Sequence, residues 1–297
     1  MPSVTPLSRR RFLRSAGVTA AAGCAASAVL AADAPSPKKP QTHKYEELLP
    51  EEFYEEFERA PIIYWATGAM EEHGLHNPMG TDFYQGYEVC RRAVEISGGI
   101  LFPPLPIGPA AKLSHSELRS GTQRLYPPSL WTSRELCKQL YIELLESMAD
   151  LKFKVCLAFG GHAPCDWILQ EIHKEMNGQI RGMRFWGGGQ SILMADAMRN
   201  EYKRHPLGSG HGMMLETSLI AASHPNLIDL PRAKRIKDNP LDSQLKVNSR
   251  ERLDYIANAN AETGNLQLNA MSQSLAQLAR EMLAGYGGTA GSPSASK

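Results

Sequence analysis

The chain has 297 residues, of which 42% are hydrophobic and 21% charged, and its formal net charge is +1. That balance suits one large folded domain or two small ones and excludes a chain that is disordered over most of its length. Four arginines and one acid fall in the first 34 residues, so the remainder is close to neutral and presents no basic field for nucleic acid.

The N-terminus reads as an address. Ser8-Arg9-Arg10-Arg11-Phe12-Leu13-Arg14 precedes a weakly apolar, alanine-rich run from Ser15 to Ala32, the order of a twin-arginine signal peptide. The run is rich in Ala, Gly and Ser and hardly long enough to span a bilayer, which argues against a permanent anchor. Ala32-Asp33-Ala34 has the small-x-small form of a cleavage site, whereas Ala22-Gly23-Cys24 makes only a poor lipoprotein site. The expectation is an exported, periplasmic or extracytoplasmic protein, carried out folded by the twin-arginine machinery. Residues 1–34 are the signal, 35–42 a Pro/Lys-rich linker, 43–286 one domain without internal repeats, and 287–297 a Gly/Ser/Ala-rich flexible tail. The cysteines left after the signal (Cys90, Cys137, Cys156, Cys165) have neither a disulfide framework nor a Cys-x-x-Cys zinc spacing, and read as buried small residues.

Within the domain, short apolar runs at 61–67, 100–102, 153–159 and 183–186 end at Gly or Pro, as buried strands do. Helical periodicity separates them. Leu136, Leu140, Leu144 and Met148 recur at four-residue spacing with Tyr141 and Leu145 alongside, behind a capping Ser133, and Met271, Leu275, Leu278 and Met282 mark a late helix. This alternation predicts a layered α/β fold with a mainly parallel sheet, in which ligands bind beyond the carboxyl ends of the strands.

Three polar clusters fall at such places. The first, Glu71-Glu72-His73 with Asp82, follows the 61–67 strand. It offers a carboxylate, an imidazole and a second carboxylate, a donor set for a hard or borderline cation. Gly74, Pro78 and Gly80 let the loop fold back, and the two oxygens of Asp82 are able to bridge two ions. On composition alone a polar surface loop explains the same residues. The second cluster, Gly160-Gly161-His162, puts a histidine at a strand tip, as a ligand or as a structural residue. The third, from Gly208 to Ser218, is a glycine-rich turn opening a helix, with His211 and Glu216 about one and a half turns apart; Glu216 also reads as a first-turn acid facing the helix dipole. Trp186, beside three glycines, is a pocket wall or a core aromatic.

Taken in order, these segments resemble the creatininase (creatinine amidohydrolase) family over about residues 61–230. Gly68-Ala69-Met70-Glu71-Glu72-His73-Gly74-Leu75-His76 with Gly80-Thr81-Asp82 is similar to the family's Gly-Ser-x-Glu-Gln-His-Gly-x-His and Gly-Thr-Asp pattern. His211 to Ser218, with Glu-Thr-Ser intact, is similar to His-Ala-Gly-x-x-Glu-Thr-Ser, and His115 with Gly121-Thr122 loosely resembles an intermediate segment. The resemblance implies a three-layer α/β/α fold, often hexameric, and hydrolysis of a cyclic or linear amide C–N bond in a small molecule. It implies two divalent ions, with zinc, manganese or iron suited to the donors. By the same resemblance, Glu71, Asp82 and His162 are expected to hold one ion, His73 and Asp82 the other, and His211 to transfer the catalytic proton. The chain departs from the pattern at Glu72, where the family has Gln. It has Pro164 two residues after His162, and Met214 three after His211, the two alternative places at which members carry the remaining ligand Glu. Glu216 is the substitute ligand on this reading, ahead of Asp166 and Glu72; the alternative is a metal-binding relative that no longer catalyses.

Overall fold

A computed structural model describes residues 42–110, 129–193, 203, 210–238 and 256–286. The signal peptide, most of the linker, the tail, His115, Gly121, Thr122, Gly208 and Ser209 lie outside these described residues. From Thr42 onward the chain belongs to one compact unit.

Helix α1 (Pro50–Arg59) leads into strand β1 (Ile62–Thr67), and the loop after β1 leads into helix α2 (Thr81–Ser97) and strand β2 (Ile100–Leu101). Helix α3 (Arg134–Asp150), strand β3 (Val155–Gly160) and helix α4 (Ala163–Glu175) follow, then strands β4 (Gln179–Ile180) and β5 (Met183–Gly189). Helix α5 (Met214–Ser223) and helix α6 (Ala261–Ala284) complete the elements that matter here. The strands lie in the order β2-β1-β3-β5-β4, parallel except for the β4–β5 pair. Every residue of β1 and of β3 is buried, which is why both read as unbroken apolar runs.

Alternate residues serve two cores. Ile62, Tyr64 and Ala66 of β1, with Val155, Leu157 and Phe159 of β3, pack against α2, α5 and α6. Ile63 and Trp65, with Cys156, Ala158 and Phe185, pack against α3 and α4. The result is a three-layer α/β/α architecture with a mainly parallel sheet, as the sequence implied. Two details differ from the sequence reading. Cys137, Tyr141, Leu145 and Met148 form the buried face of α3, while Leu136 is 55% exposed. Its cap is as expected: Ser133 Oγ accepts from the Leu136 amide at 3.2 Å. Strand β5 also continues past Trp186 through its three glycines, and Trp186 packs at the rim of the α2/α5/α6 core rather than as a separate wall.

The topology fixes where a ligand goes. From β1 the chain turns through α2 on one face to β2; from β3 it passes through α4 on the other face to β5. The chain therefore leaves the two central neighbours toward opposite faces at their carboxyl ends, where Thr67 sits in register with Gly160. A crevice opens at that switch point.

Candidate metal centre

Each side of the crevice supplies donors from a strand end. After β1, residues 68–80 fold back on themselves: the Glu71 amide donates to the Met79 carbonyl at 3.0 Å, and Thr81 Oγ1 donates to the Pro78 carbonyl at 2.7 Å. Glu71 and His73 are thus returned beside Asp82, in the first turn of α2. After β3, Gly161 brings the His162 backbone against α2 so closely that a Cβ there would lie 2.0 Å from the Asp82 carbonyl oxygen. The third segment enters from the side. Gly212, at φ +65, lets the turn before α5 pass over His73, where a Cβ would meet the His73 carbonyl at 2.7 Å.

The side chains converge around Asp82. Its Oδ1 lies 3.0 Å from His73 Nε2, and its Oδ2 lies 3.0 Å from His162 Nδ1. His162 Nδ1 is also 3.2 Å from Glu71 Oε2, and His73 Nε2 is 3.6 Å from Glu216 Oε2. Three overlapping donor groups result, Glu71–Asp82–His162, His73–Asp82–Glu216 and Glu71–His73–His211, with Asp82 common to the first two. The sequence-predicted residues Glu71, His73, Asp82, His162, His211 and Glu216 all lie here. Asp166 does not join them; its oxygens accept from Ser191 at 2.6 Å and Gln170 at 2.7 Å. Neither Asp166 nor Glu72 belongs to a donor group among the described residues.

The orientation of each imidazole is set from behind. His73 Nδ1 donates to the Glu71 carbonyl at 3.0 Å, and His162 Nε2 donates to the Pro109 carbonyl at 2.9 Å. Because a carbonyl only accepts, the other ring nitrogen of each histidine carries a lone pair when the ring is neutral. Those lone pairs point at carboxylate oxygens. His73 Nε2 and Asp82 Oδ2 are buried and make no hydrogen bond, although each lies within 3.0 Å of a polar atom. Facing lone pairs repel unless a cation lies between them, so the donor set fits a metal on its own chemistry.

Electrostatics agree. Burial opposes charge on His73, yet Asp82, Glu216 and Glu71 outweigh it and raise the pKa to about 10. His162 is likewise buried, and Asp82 and Glu71 still push it well above the usual range. Burial of Asp82 is overcome by His73 and His162, which hold its carboxyl well below the usual carboxylate range. A proton is the simplest cation that such a set attracts. A divalent ion taking the same lone pairs would leave both imidazoles neutral.

His211 stands at the mouth. Its Nε2 donates to the Glu72 carbonyl at 2.6 Å, leaving Nδ1 turned inward, 3.9 Å from Glu71 Oε2. Its ring centroid is 4.1 Å from that of His73. The side chains of His211 and Glu216 are 26% and 20% exposed, against 7% or less for Glu71, His73, Asp82 and His162. Among the described residues, the centre is therefore least covered on the α5 side.

Sequence reasoning missed Trp131. Its segment is pinned on both sides, by the Leu130 amide to the Met70 carbonyl at 2.9 Å and by the Thr132 amide to the Gly108 carbonyl at 3.2 Å. The indole ring lies 5.8 Å from the His162 ring, and its buried Nε1 has no hydrogen-bond partner. Nothing local marked it, because the residues before Ser133 read only as an approach to α3. Cys165 lies beneath His162 and accepts from Tyr141 Oη at 3.3 Å; all four described cysteines are free and buried.

Comparison with known proteins adds the following. The family model for creatininase, described as creatinine amidohydrolase, matches residues 46–279. A creatinine amidohydrolase of Pseudomonas putida is 23% identical over 192 residues, covering 60% of this chain and 69% of that protein. A solved tryptophan-to-phenylalanine mutant creatininase superposes with a TM-score of 0.62 at 21% identity, covering 81% of this chain and 98% of its own. A mutant creatininase of the Zn–Zn type gives 0.58 at 22% identity with the same coverage, and a creatininase described as Mn gives 0.58 at 21%.

Proposed function

Because this chain belongs to the creatininase family of amidohydrolases, we propose that it hydrolyses the C–N bond of a small cyclic or linear amide at a centre of two divalent ions. The observation that carries the reading is the pair of lone-pair triads sharing Asp82. Glu71, Asp82 and His162 would hold one ion, and His73, Asp82 and Glu216 the other. Zinc and manganese, named for the related structures, both suit mixed imidazole and carboxylate donors, as does iron. Bound there, divalent ions would lower the pKa of water from about 15.7 towards 7 and polarise the amide carbonyl.

The chain's own residues do the rest. His211, partly exposed at the mouth with Nδ1 3.9 Å from Glu71 Oε2, is placed to take a proton from the attacking water and return it to the leaving nitrogen. The Glu72 carbonyl, accepting from His211 Nε2, holds the ring in that tautomer and orientation. Trp131 screens the His162 side and offers a buried N–H donor to a polar edge of the substrate.

Stripping the protein of metal and restoring Zn²⁺ or Mn²⁺ while screening lactams, formamides and other small amides tests the proposal. Hydrolysis should vanish and return. His211→Asn should lower kcat by about 10²–10⁴-fold while metal content is unchanged. Undiminished turnover in the stripped protein, or in His211→Asn, would sink it. Pro164 and Met214, where family members carry a ligand carboxylate, favour the second reading, a non-catalytic metal-binding relative; that protein would load metal and hydrolyse nothing in the screen.

The setting is part of the same proposal. Residues 8–32 support export by the twin-arginine route to an extracytoplasmic compartment, with residues 43–286 as the working domain. The family resemblance supports a homo-oligomer. Among the described residues, no helix is long and apolar enough to cross a membrane.

A further inference from the structure

The His73 triad draws on two elements that must be held in register. His73 and Asp82 come from the β1 loop and α2, whereas Glu216 comes from α5. Beside Glu216 is Thr217, fully buried, and its hydroxyl is used unusually. Ser218 and Ser223 on the same helix donate back to the carbonyls four residues earlier, at 2.6 and 2.8 Å, the default for a helical hydroxyl. Thr217 Oγ1 instead leaves the helix and meets His76 Nε2 at 3.0 Å and Asn77 Nδ2 at 2.9 Å. Asn77 Nδ2 also donates to the carbonyl of His73 at 3.1 Å.

Asn77 Nδ2 also lies 3.1 Å from His76 Nε2, so Asn77, Thr217 and His76 close a three-membered ring of polar contacts. One Asn77 proton goes to the His73 carbonyl and the other into that ring. A hydrogen-bonded chain therefore runs from the backbone of one metal-ligand candidate, His73, to the residue next to another, Glu216. His76 and Thr217 are 1% and 0% exposed. Water does not compete for these bonds, and losing one partner strands the others.

We propose that Asn77, Thr217 and His76 form a buried latch that sets the distance between Glu216 and His73, making them positioning residues for the second ion. The inference rests on the two-ion reading above. It predicts an effect confined to one ion, because the Glu71–Asp82–His162 triad takes nothing from α5.

The test is titration of the metal-stripped full chain with Zn²⁺ against a chromophoric chelator, comparing wild type, Thr217→Val and Thr217→Ser. Val keeps the shape and removes the hydroxyl. It should weaken the second binding step by about 10–100-fold, the usual effect of a residue behind a ligand, and leave the first step in place. Ser should restore the second step. Asn77→Ala, on the half-buried loop, should reproduce the Val result and serves if Thr217→Val does not fold. Unchanged affinities with only a lowered melting temperature, or equal loss at both steps, would overturn the latch while the two-ion reading stands. A wild-type chain that takes up no second ion would overturn both.

Discussion

Asp82→Ala is expected to lose both ions together and to abolish metal-dependent hydrolysis in a protein that still folds. Each oxygen of Asp82 serves a different triad, with Oδ1 3.0 Å from His73 and Oδ2 3.0 Å from His162. Removing the carboxylate leaves Glu71 with His162 and His73 with Glu216, two donors apiece where a stable site uses three or four; the remaining Glu71–His73–His211 group keeps three only through the partly exposed His211, whose Nδ1 is 3.9 Å from Glu71. The loss in activity should exceed the roughly 10–100-fold typical of residues behind ligands. Without an ion Asp82 pairs with His73 and His162, so its removal is expected to lower stability as well, while the two apolar cores on either side of the sheet keep the chain folded. Circular dichroism and metal analysis of the same sample separate the cases. Retention of either ion would show that the triads do not share Asp82.

The second large effect belongs to Glu216→Gln. This change keeps size and the ability to accept from the Gly212 amide, a bond of 2.6 Å in the native chain, but removes the charge. As the third member of the His73 triad, Glu216 is expected to be required for the second ion alone, so the variant should bind one ion per triad retained and lose most of its turnover. A first-turn acid serving the α5 dipole predicts something else: unchanged metal content and a stability loss of about 0.3–1 kcal/mol. The two readings of Glu216 that the sequence leaves open thus differ in what metal analysis would report.

The local parts of this site were legible in the sequence. Unbroken apolar runs stopped by glycine fixed β1 and β3 because both are central parallel strands, buried on each face. Glu71, His73 and Asp82 lie within one loop, and that loop had to fold back for the glycines and Pro78 to make sense. What depends on long-range packing was not legible. The apolar residues of α3 surround most of its circumference, so periodicity alone did not choose the buried face. Tertiary partners chose it: Tyr141 turns inward, where its hydroxyl meets Thr67 Oγ1 at 2.8 Å and the Ile107 carbonyl at 2.8 Å. The choice among Glu216, Asp166 and Glu72 likewise rests on how α5 docks on the β1 loop. That docking runs through contacts such as His76 to Thr217, which no local pattern announces. Trp131 was missed for the same reason, since its segment meets Met70, Gly108 and His162, from the loops after β1, β2 and β3.

The donor geometry makes one claim above the others, that two cations sit between the facing lone pairs around Asp82. Metal analysis of the purified, metal-replete full chain tests it most directly. About two equivalents of zinc or manganese per chain are expected, falling together in Asp82→Ala and by one in Glu216→Gln. A wild-type protein that binds no divalent ion, with His73 and His162 remaining protonated, would contradict it.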